Sequence, residues 1–407
     1  MSNAATQHVN RRSFLKASAA AAAAFTIVAP AAVRSAVANS KIQIGLAGCG
    51  GRGRWIGNLF QQNASAKVTA VYDYFKDRAD AAGDALKVDA PKRFTGLDGF
   101  KQLLASGVDA VAVESPPYFH PEQAVAALEA GKHVYLAKPI AVDVPGCLAI
   151  VDAAKKANGK LSVLVDFQTR VNEFYMGAAQ RIREGLLGKP VSGQVYYIAG
   201  RLGKQAEGDT QMARLRNWVF DKALSGDIIV EQNIHVLDVA NWFLNGHPVK
   251  ACGTGGRKAR VDVGDCWDHF LVQYWYPDDV LMDFCSAQYT ERYDDLCCRI
   301  FGTNGTVDSH YGGNVNILAK TGGYRGGNTG PIYQEGAVTN IKNFCNSIAS
   351  QKYLDNAEES AMSNLTAILG RIAAYEGRMV TWDEMLKANT KLDAKLDLPA
   401  NGSEWHG

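Results

Sequence analysis

The chain lacks a large net charge of either sign. Its 43 lysines and arginines stand against 41 aspartates and glutamates, leaving +2. That balance excludes the strongly basic surface that a nucleic-acid or anionic-membrane partner requires. Eight cysteines are present, yet none forms a C-x-x-C pair, so zinc and thioredoxin-type sites have no support and no metal is expected. An even count in an exported chain would suit disulfides. The scatter of these cysteines through apolar runs favours buried thiols instead, and the adjacent Cys297 and Cys298 would point to opposite faces of a strand. Beyond residue 40 no apolar run reaches the roughly 18 residues needed to cross a bilayer. Repeats and long polar or proline-rich tracts are also missing, which excludes a solenoid and a disordered linker. What remains, 407 residues of which 47% are hydrophobic, is enough for two domains with proper cores.

The first forty residues are of a different kind. Arg11-Arg12-Ser13-Phe14-Leu15-Lys16 leads into an alanine-rich run and then Ala36-Val37-Ala38. A charged region, a weakly apolar region and a small-residue cleavage site in that order make residues 1–38 a signal peptide. The paired arginines indicate the twin-arginine route, taken by proteins that fold before they cross. Alanine is too weakly hydrophobic to hold a bilayer, so a periplasmic or exported protein without stable membrane insertion is expected.

Residues 39–165 read as a nucleotide-binding domain. The β-rich run KIQIGLAG enters Gly48-Cys49-Gly50-Gly51-Arg52-Gly53, a G-x-G-x-x-G turn, and the residues after it have helical character. Such glycines permit a tight turn and close backbone approach to a pyrophosphate, which then rests on the positive end of the helix. A second strand ends in Asp73, about 20 residues further on, where an acid binds ribose hydroxyls and repels a 2′-phosphate. NAD is therefore favoured, with NADP possible. Further strand-like runs (VDAVAVES, KHVYLAKP, KLSVLVDFQ) alternate with helical ones, implying an α/β fold with a doubly wound parallel sheet, the Rossmann arrangement. Ligands in such sheets sit beyond the carboxyl ends of the strands. Glu114, Pro116, Pro117, His120, Lys138, Pro139 and Arg170 lie at the ends of predicted strands and should line that crevice, with Ser115 and Pro116 as cofactor contacts. His120, at a helix start, is either a cap or a cofactor contact.

Residues 166–407 change character from about position 190. VSGQVYYIAG, VKACGTGGRK, DHFLVQYWYP, VLMDFCSAQY and LCCRIFGT are β-rich with few helices between them, implying a large, mostly antiparallel sheet in an α+β substrate-binding domain. One open face of such a sheet commonly pairs with a copy of itself, so a homo-oligomer, dimer or tetramer, is expected. Within SGDIIVEQNIHVLDVANWFLNGHP, Glu231 and His235 are four apart and share a face if the run is one helix. Gln168, Arg170, Arg216, Asn217, Trp218 and Asn233 are candidates for holding a polyol, whose alternating CH and OH surface needs aromatic faces and forked polar groups. Asp238 and Trp242 read as packing residues.

The stretch VDAVAVESPPYFHPEQAVAALEAGKHVYLAKPIAVD resembles the glucose–fructose oxidoreductase / inositol dehydrogenase (Gfo/Idh/MocA) family, and the resemblance extends over residues 41 to 400. It implies a sugar or cyclitol oxidoreductase. Ala137 departs from the family's usual glutamate before the lysine, which puts fine substrate geometry in question. The family's Asp-x-x-x-His pattern aligns with Glu231-x-x-x-His235. The resemblance thus implies His235 as acid/base, Lys138 as electrostatic partner and cofactor contact, and Glu231 as orienting acid. The chemistry is apt, since a neutral imidazole can take a hydroxyl proton while an ammonium stabilises the developing charge on oxygen. Either His235 or Lys138 could take the proton.

An exported enzyme meets no soluble nicotinamide pool, so cofactor and export are compatible only if the cofactor is loaded before transport and tightly bound. Recycling then needs a second sugar or an electron-accepting partner. A glycosidase that oxidises C3 transiently, expels its aglycone and returns the hydride would fit equally well. A non-catalytic sugar-binding or regulatory protein is the third reading, disfavoured because Lys138 and His235 are both present.

Overall fold

The computed structural model describes residues 41–402. The expected signal peptide therefore lies outside the described residues. Six strands form one sheet: β1 (Ile42–Ala47), β2 (Ala66–Tyr72), β3 (Arg93–Phe94), β4 (Ala110–Val113), β5 (His133–Leu136) and β6 (Val163–Val165). Their order is β3-β2-β1-β4-β5-β6 and every pair is parallel. β4 is Ala-Val-Ala-Val and buried at all four positions, because helices cover both faces of the sheet and leave no polar side.

The second sheet has nine strands: β7 (Pro190–Ala199), β8 (Lys250–Gly256), β9 (His269–Trp275), β10 (Leu281–Gln288), β11 (Asp295–Gly302), β12 (Gly305–His310), β13 (Asn314–Ala319), β14 (Gly323–Asn328) and β15 (Val380–Thr381). The order is β14-β13-β12-β11-β7-β10-β9-β8-β15, antiparallel except for the β7–β10 pair. Here the apolar residues alternate. Cys298, Ile300, Val307 and Phe284 face the buried helices Ile234–Leu244 and Ala357–Glu376. The opposite face leaves Leu271, Phe301 and Leu318 exposed. Cys297 and Cys298 are successive strand residues, and all eight cysteines are free.

The helix Ile332–Ser350 returns to the first sheet, where Phe344 meets Phe60 and Tyr135 edge-on. Its first turn stacks Tyr333 on Trp55, with ring centroids 4.8 Å apart. Among the described residues no helix is long and apolar enough to cross a membrane.

The run from Asp227 to Leu244 is not the single helix its apolar spacing suggests. One helix spans Ile228–Glu231 and a second Ile234–Leu244, with a break at Gln232 and Asn233. At the break Asn233 N–H reaches back to the Ile228 carbonyl and His235 N–H bonds Gln232 rather than Glu231. The Glu231 carbonyl is left without a helical partner, and that has chemical use.

Candidate active site

The glycine turn follows from its neighbours' demands for space. Gly48 has φ 95°, and a Cβ there would lie 2.3 Å from the Ser115 nitrogen. A Cβ on Gly53 would lie 1.9 Å from the Gly48 carbonyl oxygen. At Gly50 and Gly51 a Cβ would meet nothing within 4 Å, so the mouth of the turn is open. The helix it starts, Gly51–Asn63, has no side-chain cap and no acid in its first turn. Its N–H groups and the positive end of its dipole are thus uncompensated, as a pyrophosphate requires. The residues present fit a dinucleotide.

Asp73 ends β2 and is buried. Its carboxylate accepts the Cys49 N–H at 2.8 Å and the Phe75 N–H at 2.9 Å, pinning the turn, while burial pushes its carboxyl up. It shares a cavity of about 40 Å³ with Gly48, Ser115, Pro116, Phe119, Leu215 and Leu398. Leu398 belongs to the C-terminal tail, which is laid over this end of the sheet. Leu97 N–H bonds the Ala400 carbonyl at 2.9 Å, Tyr74 hydroxyl the Pro399 carbonyl at 3.0 Å, and Arg214 the Ala394 carbonyl at 2.6 Å.

The other end of the crevice gathers the candidate chemistry. Lys138, just beyond β5, donates to the freed Glu231 carbonyl at 2.6 Å and lies 3.5 Å from the Glu231 carboxylate. Burial lowers the Lys138 pKa against the pull of Glu231. His235 is buried, its ring centroid 5.2 Å from Tyr311 and 6.4 Å from Phe167, and its Nδ1 has no partner. Burial first, then Lys138 and Arg52, hold the imidazole well below its usual range, so it is neutral. Both side-chain polar atoms of Asn233 are likewise buried without partners. Buried polar groups of this kind normally find partners, and three atoms without one lie on this short segment. Gln168 donates to Asp166 at 2.8 Å and accepts from the Tyr311 hydroxyl at 3.2 Å.

Other expected site residues fall elsewhere. Arg52 reaches past the turn to Glu114 at 3.0 Å, Asp166 and Tyr333. His120 is buried with its ring nitrogens 2.8 Å from the Pro139 carbonyl and 2.7 Å from that of Ser115. A neutral ring can donate to only one of them, and burial pushes its pKa down to about 4; it clamps two crevice loops together. Arg170 forks onto Asp238 at 2.8 and 2.9 Å over the Trp242 ring, so Asp238 does more than pack. Arg216, Asn217 and Trp218 do not join the polyol candidates. Arg216 pairs with Asp77 and covers Phe75, Asn217 ties residues 205 and 206, and Trp218 packs with the cluster around Tyr74. All three sit at the Asp73 end, because the helix Gln211–Arg216 carries them there.

Asp166, Tyr311 and Tyr333 were not foreseen. Asp166 directly follows β6, whereas the expected strand KLSVLVDFQ runs past it to Gln168 and so hides it from the strand-end rule. The tyrosines arrive from distant elements with no local signal. The carboxylate missing at Ala137 reappears one strand away. Val113 pairs with Leu136, which makes Glu114 the neighbour of Ala137.

A separate cluster on the outer sheet face brings ligand atoms of Asp295, Cys297 and His310 within 4.8 Å of one another. Asp308 and Asp295 flank that imidazole at 3.1 and 3.2 Å and raise its pKa, Asp308 most, while Arg299 approaches to 3.3 Å. With Arg299 and two carboxylates already around the imidazole, we read the group as an ion-pair network.

Comparison with known proteins agrees with this fold. Residues 42–165 match the Gfo/Idh/MocA family described as "Oxidoreductase family, NAD-binding Rossmann fold", and residues 175–308 match its C-terminal domain. Residues 8–27 match the twin-arginine translocation signal sequence. An inositol 2-dehydrogenase/D-chiro-inositol 3-dehydrogenase of Shouchella clausii is 32% identical over 271 residues, 65% of this chain and 71% of that protein. An inositol 2-dehydrogenase of Klebsiella pneumoniae is 33% identical over 65% of this chain and 72% of that one. In fold the chain is similar to a levoglucosan dehydrogenase solved with NADH and levoglucosan, with a TM-score of 0.69 at 17% identity over 84% of this chain and 99% of that one. It is similar also to the aldose-aldose oxidoreductase of Caulobacter crescentus, with a TM-score of 0.68 at 19% identity over the same shares.

Proposed function

The chain belongs to the Gfo/Idh/MocA oxidoreductase family, and from that premise we propose that it transfers hydride between a secondary alcohol of a sugar, glycoside or cyclitol and a tightly held NAD. The observation that carries the reading is a neutral, buried His235 with an unpartnered Nδ1 near Lys138, at the carboxyl edge of a sheet whose glycine turn fits a dinucleotide. The cofactor, when bound, supplies the hydride acceptor. His235 takes the hydroxyl proton on its free nitrogen. Lys138, oriented by the Glu231 carbonyl, donates to the same oxygen as charge develops there. Asn233 and Gln168 hold neighbouring hydroxyls. The inositol 2-dehydrogenases among the relatives support a cyclitol or sugar as the substrate class.

Tight retention is supported at the Asp73 end. A cavity of about 40 Å³ is far below the roughly 300 Å³ and upward of ordinary small-ligand clefts. Leu398 of the C-terminal tail lines this cavity, and a tail lying over a bound adenosine would slow its exchange. A signal that exports folded proteins suits a cofactor carried out already bound, into the periplasm. The mature protein, purified without added nucleotide and then denatured, should release stoichiometric NAD. An empty protein from a gentle purification would contradict tight binding.

A further inference from the structure

Three neighbouring strand ends carry charge at the edge of the crevice. Glu114 follows β4, Lys138 follows β5 and Asp166 follows β6. The side chains of Glu114 and Asp166 are fully buried. Arg52 bridges them from the first turn of the glycine-turn helix, and at 26% exposure its side chain is the open member of the group. Neither Glu114 oxygen has a well-aligned donor, although Arg52 Nε is 3.0 Å away. With Glu231 beside Lys138, two cations face three carboxylates, an excess of one negative charge when all are ionised. Burial pushes the Glu114 carboxyl up to about 7, so near neutrality that excess is half removed.

None of these charges is needed to hold a pyrophosphate, and Arg52 is turned away from the turn's open mouth toward the acids. What they do face is the place beyond the strand ends where the reactive half of a dinucleotide belongs. An oxidised nicotinamide ring carries a positive charge and a reduced ring does not. Fixed charges at that edge therefore bias one form against the other, strongly in a water-poor site. We propose that the Arg52–Glu114–Asp166 cluster sets the oxidation poise of the bound nicotinamide, Arg52 favouring the reduced ring and Glu114 the oxidised one. This rests on the dehydrogenase reading above. It gives an enzyme that must both take and return hydride on a single cofactor a means of keeping the two forms near balance.

Opposite charges must act in opposite directions, and a purely structural role would not. Holoprotein is held at about pH 8, above the Glu114 value, with an excess equimolar mixture of labelled NAD⁺ and NADH until the bound nucleotide has fully exchanged for label. Free nucleotide is removed and the bound fraction identified after denaturation. Glu114→Gln, which keeps shape and leaves Arg52 paired with Asp166, should shift the bound ratio toward NADH on the order of tenfold. Arg52→Gln should shift it toward NAD⁺ by a similar factor. Because that change leaves two buried acids uncompensated, the double variant Arg52→Gln/Glu114→Gln provides a second reading and should fall between the singles. Shifts in the same direction, or a Glu114→Gln ratio within twofold of the parent, would overturn the proposal while leaving the dehydrogenase reading intact. Failure of the parent to bind either nucleotide would overturn both.

Discussion

His235 owes its proposed role to burial. The folded chain removes water from the imidazole and sets Lys138 and Arg52 near it, so the proton-bound form is disfavoured and the ring stays neutral well into acid. The sign is definite: a base with a depressed pKa loses activity only below its ordinary range. The rise of kcat/KM with pH should therefore lie below about 6.5. His235→Asn should lower kcat by about two to four orders of magnitude while nucleotide content is retained. A limb that lies above that range and survives in His235→Asn would move the proton to Lys138.

At the scale of elements, the C-terminal tail and the broken helix matter most. Leu398 lines the cavity beside Asp73, on a tail that Ala394 and Leu396 also anchor in the same apolar cluster and that Tyr74 and Arg214 hold through its carbonyls. Leu398→Ser should leave the melting temperature nearly unchanged and speed nucleotide release on the order of tenfold, by loss of part of a leucine's burial; release measured by displacement with labelled NAD decides it, and an unchanged rate would show that the tail does not gate exchange. Neither element was legible in the sequence. The first sheet was, because strands buried on both faces read as unbroken apolar runs between helices and glycine punctuates its first turn. The broken helix was not, since Val230, Ile234 and Leu237 keep apolar spacing across the break and only backbone hydrogen bonds reveal it. Lys138, His235 and Asn233 could be singled out from strand ends and one segment. Tyr311 and Tyr333 could not, because they reach the site from more than 100 residues away in the chain. Arg216, Asn217 and Trp218 were singled out by side-chain type, whereas the fold delivers them to the Asp73 end of the crevice, away from His235.

On the scale of the whole molecule, export and cofactor chemistry meet in one requirement. For a chain with a twin-arginine signal, the tightly held NAD proposed above would have to be regenerated without release. Hydride taken from one sugar would then return to another. That is the central claim, and nicotinamide absorbance reports it directly. Mature holoprotein, free of added nucleotide, is given single sugars and cyclitols and then a second sugar, lactone or keto-sugar. We expect the reduced-nicotinamide band to rise by at most one equivalent with the first and to fall with the second, with bound nucleotide unchanged in amount. A band that never moves, or that rises and cannot be reversed by any second sugar, would contradict it.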